Sequence, residues 1–317
     1  MPAAATVAPS AAPPFGASLL PASHRIGAGG AERAIPRREV RLPGGRSIAY
    51  AETGQGPPLV AVHGTLMTLE DMWLGPVPAL ARRFRVIAVD RPGHGFSERV
   101  RHRDASVWRQ AELIHEAVRE IGLERPLILG HSFGGAVALA YGMNYPDETA
   151  GVVALSPVCF PEGVRVEQML FGPRALPLGG GTLSGWLGRL SDPTLLPLLW
   201  NAMFLPQTMP EAFAGAFPFG LAGRPEQMVA EGEDALGLIA GLGRNMTGYP
   251  FCRVPVHIMA GSADLVVNPL TQGRLAARMI PGARFDWVRG AGHMLHHVHG
   301  EAIADAAEGL RAGARPD

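Results

Sequence analysis

Ser132 stands in the run Gly130-His131-Ser132-Phe133-Gly134-Gly135, between the apolar stretch Pro126-Leu127-Ile128-Leu129 and a run of small residues at 136–145. A serine flanked by glycines, where a strand turns sharply into a helix, is a nucleophile elbow. The glycines tolerate a strained backbone and close neighbours, and the helix N-terminus faces the reacting centre. The bare pattern Gly-x-Ser-x-Gly is weak, because a chain of 317 residues with 41 Gly and 11 Ser supplies about 0.2 matches by chance. A strand before it and a helix after it sharpen the signal.

A serine hydroxyl needs a base to take its proton, so a histidine oriented by a carboxylate is expected further along, in the order serine, acid, histidine. Asp264, in Gly261-Ser262-Ala263-Asp264, and His293, in Gly290-Ala291-Gly292-His293, each follow an apolar run and stand in that order. Both suit loops at the carboxyl ends of parallel strands, where open α/β sheets carry their sites. Ser132, Asp264 and His293 are therefore the candidate catalytic residues. The tetrahedral intermediate of acyl transfer requires preorganised N–H donors. His63-Gly64-Thr65 fits a loop that supplies one from Thr65, and Phe133, the residue after the nucleophile, supplies the other. His63, Gly64, Gly130, His131 and Gly134 are expected to shape this site without reacting.

The elements that must position these residues are legible as apolar runs. Segments 59–62, 86–89, 127–129, 152–155, 256–260 and 283–288 are short and rich in β-branched residues, as buried parallel strands are. Two further strands, 39–42 and 47–52, flank the turn Pro43-Gly44-Gly45. Val107, Ala111, Ile114, Val118 and Ile121 recur at spacings of four and three, which predicts a helix capped by Ser106 and stopped by Gly122. A last helix is expected at 301–310. Strands alternating with helices predict an α/β fold, a mostly parallel twisted sheet flanked by helices.

The alternation breaks at 158–250, where Leu, Met, Phe, Trp, Pro and Gly dominate. This segment is expected to be a helical cap inserted into a core domain made of 37–157 and 251–317, lying over Ser132 and selecting lipophilic groups. Leu195, Leu196, Leu198, Leu199, Trp200, Met203, Phe204, Met209, Phe213, Phe217 and Phe219 either line its cavity or form its own core, and core is the expectation for most. Residues 1–36, rich in Ala, Pro, Ser and Gly, read as a disordered or poorly ordered extension. A targeting segment or a start assigned too far upstream is the alternative.

Taken together, the elbow, the His63-Gly64-Thr65 loop and the ordered Asp264 and His293 resemble the α/β-hydrolase fold superfamily. The likeness is to its single-domain group with a helical cap, which includes esterases, peroxidase-like enzymes without cofactors and carbon–carbon bond hydrolases. It covers residues 38–310. Asp90-Arg91-Pro92-Gly93-His94-Gly95-Phe96-Ser97 resembles the family's turn after the fourth strand, which implies a structural role for Asp90 and His94. Family members that are haloalkane dehalogenases or epoxide hydrolases carry aspartate as nucleophile, and Ser132 departs from them.

Composition narrows the alternatives. Charge balances at 28 basic and 28 acidic residues, so the footprint of a nucleic-acid binder is missing. Every basic side chain except histidine is arginine, which excludes a lysine Schiff base and the Gly-Lys-Ser/Thr phosphate loop. Cys159 and Cys252 are far apart and read as structural, and no apolar run reaches the roughly 18 residues of a membrane helix. His293, His296, His297 and His299 crowd together, but a metal set usually draws a carboxylate or thiolate as well, so neither metal nor cofactor is expected. We expect a cytoplasmic serine hydrolase, monomer or homodimer, that cleaves an ester or related acyl bond of a small apolar substrate. A thioesterase, lactonase or carbon–carbon hydrolase would use the same residues, and a lyase would use them for proton transfer. From another class, a non-catalytic protein could hold a small ligand on the same fold.

Overall fold

In the computed structural model, which describes residues 35–162 and 166–313, eight strands form one sheet. They are β1 (Arg37–Arg41), β2 (Ser47–Thr53), β3 (Pro58–Val62), β4 (Arg85–Val89), β5 (Leu127–His131), β6 (Gly151–Leu155), β7 (Val256–Gly261) and β8 (Arg284–Val288). Their order in space is β1-β2-β4-β3-β5-β6-β7-β8. β1 pairs antiparallel with β2, and β2 antiparallel with β4. Every later pairing is parallel, with Leu59 opposite Leu127 and Gly130 opposite Ala154. The expected α/β architecture is thus present. Residues 1–34 of the expected extension lie outside the described residues.

Helices cover both faces, as buried apolar strands require. On one face α1 (Leu69–Leu74), α2 (Val77–Leu80) and the last helix, α12 (Gly300–Gly313), pack against Leu59, Ala61, Val86, Leu127, Leu129 and Val153. On the other, α3 (Val107–Ile121), α4 (Phe133–Asn144) and α11 (Gly273–Met279) pack against Val60, Val62, Ile87, Ile128, Ala154 and Ile258. Alternate residues of β3 thereby serve opposite cores. In α3 the Ser106 side chain accepts from the Arg109 N–H, and Gly122 ends the helix at φ 75°, matching the stop and start signals in the sequence.

Between β6 and β7 the described part of the chain carries helices joined by loops and no strand. The helices are α5 (Val166–Phe171), α6 (Gly180–Leu190), α7 (Asp192–Phe204), α8 (Glu211–Ala216), α9 (Phe219–Ala222) and the long α10 (Pro225–Gly248). Leu196, Trp200, Met203, Phe204, Phe213 and Phe217 build a third core, which Leu66, Met67 and Met294 of the sheet domain's loops complete. Leu198, by contrast, is 63% exposed. Cys159 and Cys252 are buried free thiols; burial pushes the first up to about 12 and raises the second. Among the described residues, no helix is long and apolar enough to cross a membrane.

Candidate active site

The strand-to-helix turn at Ser132 has φ 54° and ψ −116°, a conformation most side chains avoid. Two glycines make room for it. A Cβ at Gly130 would lie 2.1 Å from the Gly134 carbonyl oxygen, and one at Gly134 would lie 2.4 Å from the carbonyl oxygens of Val62 and His63. The Ser132 N–H donates to the Leu155 carbonyl at 2.9 Å, and its own carbonyl accepts from Gly135 at 3.0 Å. Helix α4 starts at Phe133, three residues earlier than the sequence suggested, so its N-terminus abuts the serine.

His293 and Asp264 meet behind a shared cavity. The Asp264 Oδ1 accepts the N–H groups of Val266 and Val267, both at 2.8 Å, and Oδ2 lies 2.8 Å from His293 Nδ1. A carboxylate only accepts, so His293 Nδ1 is the donor of this bond and Nε2 is the ring nitrogen left over. That Nε2 is buried and has no hydrogen-bond partner among the described residues. Burial opposes charge on Asp264, but His293 and the two backbone donors outweigh it and hold the carboxyl below its ordinary value.

Thr65, Ser132, Phe133 and His293 line one cavity of about 170 Å³. The inserted helices supply Leu170, Phe171, Leu199, Ala202, Met203, Ala235 and Leu238, while Leu66, Val158 and Val266 come from loops of the sheet domain. Of the apolar residues named from the sequence, Leu199 and Met203 reach this cavity. One feature differs from the expected lipophilic lining: Glu231 and Asp234 of α10 also face it. Both belong to the acidic run Glu231-Gly232-Glu233-Asp234, which would ordinarily read as a solvated face. All three carboxylates are buried, Glu231 against the His94 ring at 3.1 Å and the other two against arginines of the segment after β4. Asp234 holds Arg91 and Arg99 at 2.5 Å each, and Glu233 holds Arg101 at 2.7 Å.

Four other histidines near the site are engaged by their neighbours. His63 Nε2 accepts from the Arg91 N–H at 3.0 Å and Nδ1 donates to the Gly64 carbonyl at 2.9 Å, while burial and then the Arg91 charge push its pKa well below the usual value. His131 donates from Nε2 to the His293 carbonyl at 3.1 Å and is likewise held neutral, by burial first. Asp90 accepts from the N–H groups of Leu69 and Phe96 and from Arg37, and does not line the cavity. His296 and His297 both reach Oδ1 of Asp71 at 2.9 Å. Asp71 is the residue that the sequence did not single out. Burial would raise its carboxyl, and the two histidines hold it well below the carboxylate range. Asp71 with His296 and His297, and His94 with Glu231 and Asp234, are the two sets among the described residues whose potential metal-ligand atoms lie within 4.8 Å of one another. In the first set the imidazole donors are already spent on the carboxylate.

A family model of the alpha/beta hydrolase fold matches residues 57–300. The chain belongs to that family. A protein of Mycobacterium tuberculosis with no described function is 26% identical over 295 residues, 87% of this chain and 81% of that one. The magnesium-chelatase 30 kDa subunit of Rhodobacter capsulatus is 27% identical over 263 residues, 78% of this chain and 84% of that protein. Among solved structures, a thermophilic esterase from Thermogutta terrifontis superposes with a TM-score of 0.64 at 22% identity, covering 88% of this chain and 99% of that one. At that identity the likeness is one of fold.

Proposed function

We propose that this member of the hydrolase family is a cofactor-independent serine hydrolase that cleaves an ester or related acyl bond through an acyl-enzyme. The observation that carries the proposal is that His293, held through Nδ1 by Asp264 at 2.8 Å, keeps a buried Nε2 with no hydrogen-bond partner among the described residues, in the cavity that Ser132 also lines at its strained turn. Ser132 Oγ attacks the carbonyl carbon and its proton passes to His293 Nε2. The imidazolium is stabilised through Nδ1–H by Asp264. The oxyanion rests on the N–H groups of Thr65 and Phe133. Collapse expels the leaving alcohol, which takes the proton back from His293, and a water activated by the same nitrogen then releases the acid. The inserted helices act as a cap that keeps water from the cavity.

The test is covalent. A fluorophosphonate is expected to label the wild-type protein on Ser132, and Ser132→Ala is expected to lose the label together with three or more orders of magnitude of turnover on p-nitrophenyl butyrate, about the loss that follows removal of a nucleophile. Retention of a tenth of the activity by Ser132→Ala would overturn the assignment. An unlabelled, inactive wild type would favour the ligand-binding alternative.

A further inference from the structure

Leu66 directly follows the proposed oxyanion donor Thr65 and has φ 61°, a left-handed conformation that a branched apolar residue keeps only when its surroundings impose it. What imposes it comes from the inserted helices. The Leu66 N–H donates to Glu231 Oε1 of α10 at 2.6 Å, and the Leu66 carbonyl accepts from Trp200 Nε1 of α7 at 3.0 Å. One residue on, the Met67 carbonyl accepts from Gln227 Nε2 of α10 at 3.1 Å. Leu66, Trp200, Gln227 and Glu231 are all buried. The peptides on both sides of Leu66 are thus gripped by side chains from outside the sheet domain.

The peptide before Thr65 is aimed from the opposite direction. Its carbonyl, that of Gly64, accepts from Arg91 at 3.2 Å and from His63 Nδ1 at 2.9 Å. In a trans peptide the N–H points away from the carbonyl. Fixing the Gly64 oxygen therefore directs the Thr65 N–H. The Arg91 guanidinium also lies over the ring of Phe133, 4.4 Å from its centroid, and is itself held by Asp234 of α10.

We infer that Trp200 and Glu231 are positioning residues for the oxyanion hole: the inserted helices hold the Thr65 loop in its strained working conformation, so the donor is in place only while those helices are seated. The inference rests on the serine-hydrolase reading. It adds that the insertion acts on the chemical step as well as on substrate selection.

Trp200→Phe keeps an aromatic ring against Phe217 and Phe219 and removes the N–H donor. With p-nitrophenyl butyrate it is expected to lower kcat tenfold or more, towards the roughly hundredfold that a misplacement of about 1 Å costs, with KM within about twofold. Affinity for an alkyl trifluoromethyl ketone, whose serine adduct places an oxyanion in the hole, should fall by the same factor as kcat. Glu231→Gln, whose amide oxygen still accepts from Leu66, should retain at least tenfold more kcat than Glu231→Leu, in variants whose urea unfolding shows a single cooperative transition. Unchanged kcat in Trp200→Phe, or a rise in KM alone, would overturn the inference. Equal losses in the two Glu231 variants would do the same. In either case fluorophosphonate labelling of Ser132 would leave the hydrolase reading standing, whereas absence of labelling in the wild type would remove both.

Discussion

A φ of 54° lifts Ser132 clear of the strand it leaves and the helix it enters, and the backbone can take that path because Gly130 and Gly134 carry no Cβ. Gly134→Ala is therefore expected to cost at least about 2 kcal/mol, since the carbonyl oxygens at 2.4 Å belong to main chain that cannot move aside. Urea midpoints measure the loss, and a variant as stable as wild type would contradict it. Asp264→Asn keeps the shape of the side chain, but an amide cannot hold the imidazole in the right tautomer. A fall in kcat of about four orders of magnitude is expected, with folding intact; a loss under tenfold would remove Asp264 from the mechanism. The sequence could nominate Ser132, Asp264, His293 and Thr65 because each sits in a local pattern of glycines and apolar runs. It could not assign Asp71, Arg91 or Glu231 a part in the site, and it offers Trp200 only as core or cavity lining of the insertion. Their partners are remote, 225 residues away for Asp71 with His296 and 143 for Arg91 with Asp234, and no local pattern encodes such a contact.

At the level of elements, apolar runs match the strands to within one or two residues; the fully buried β5, β6 and β7 leave a continuous signature, whereas β1 and β8 are largely exposed. Helix α4 begins three residues before the run of small residues that marks it in the sequence. Gly134 and Gly135 weaken a helix by about 1 kcal/mol each relative to alanine, and their presence inside one is explained only by the close packing around the turn. Helix α10 was not visible as a unit, since its buried acidic run mimics a solvated one. Its seating on the sheet predicts that Asp234→Ala, which removes the carboxylate that Arg91 and Arg99 share, lowers stability by about 3–5 kcal/mol; a change under 1 kcal/mol in denaturant unfolding would refute that anchoring role. The inserted helices also wall the cavity that Ser132 lines. A cavity of about 170 Å³ is close to the roughly 150 Å³ space that accommodates one benzene ring. For p-nitrophenyl esters, kcat/KM is expected to rise with acyl length by up to about fourfold per methylene, or about 0.8 kcal/mol, and to stop rising near six carbons. A flat series, or acetate preferred to butyrate, would count against this.

For the molecule as a whole, buried neutral histidines decide the response to acid. Burial, reinforced by the Arg91 charge for His63 and His94 and by the neighbouring His296 and His293 for His131, holds these three well below the ordinary histidine value, and burial lowers His297 to about 4. The folded value lies below the unfolded one. As pH drops beneath about 6.5, the unfolded chain binds protons that the native state refuses, and stability falls. Asp71 and Asp264 have depressed carboxyls, so their contribution is complete above about pH 4 and is lost only as pH falls through their folded values. Acid unfolding should thus begin with the histidines. Between pH 7 and 5.5 each is expected to remove about 1 kcal/mol, read from urea midpoints at the two pH values. Constant stability down to pH 4.5 would disprove it.

Cys159 lies where the chain leaves the sheet domain, just past β6, and Cys252 where it returns, just before β7. The Tyr249 hydroxyl donates to the Cys159 carbonyl and so bridges exit and return. Both thiols are buried and pushed upward in pKa, which suppresses the reactive thiolate. Alkylation by iodoacetamide is therefore expected to wait on opening of the structure and to act as a chemical clock at the two crossings. If the helices between them lift as a unit, both thiols will be modified at the same rate and faster than global unfolding permits. Modification at the global rate would instead mean that the two halves of the molecule open only together.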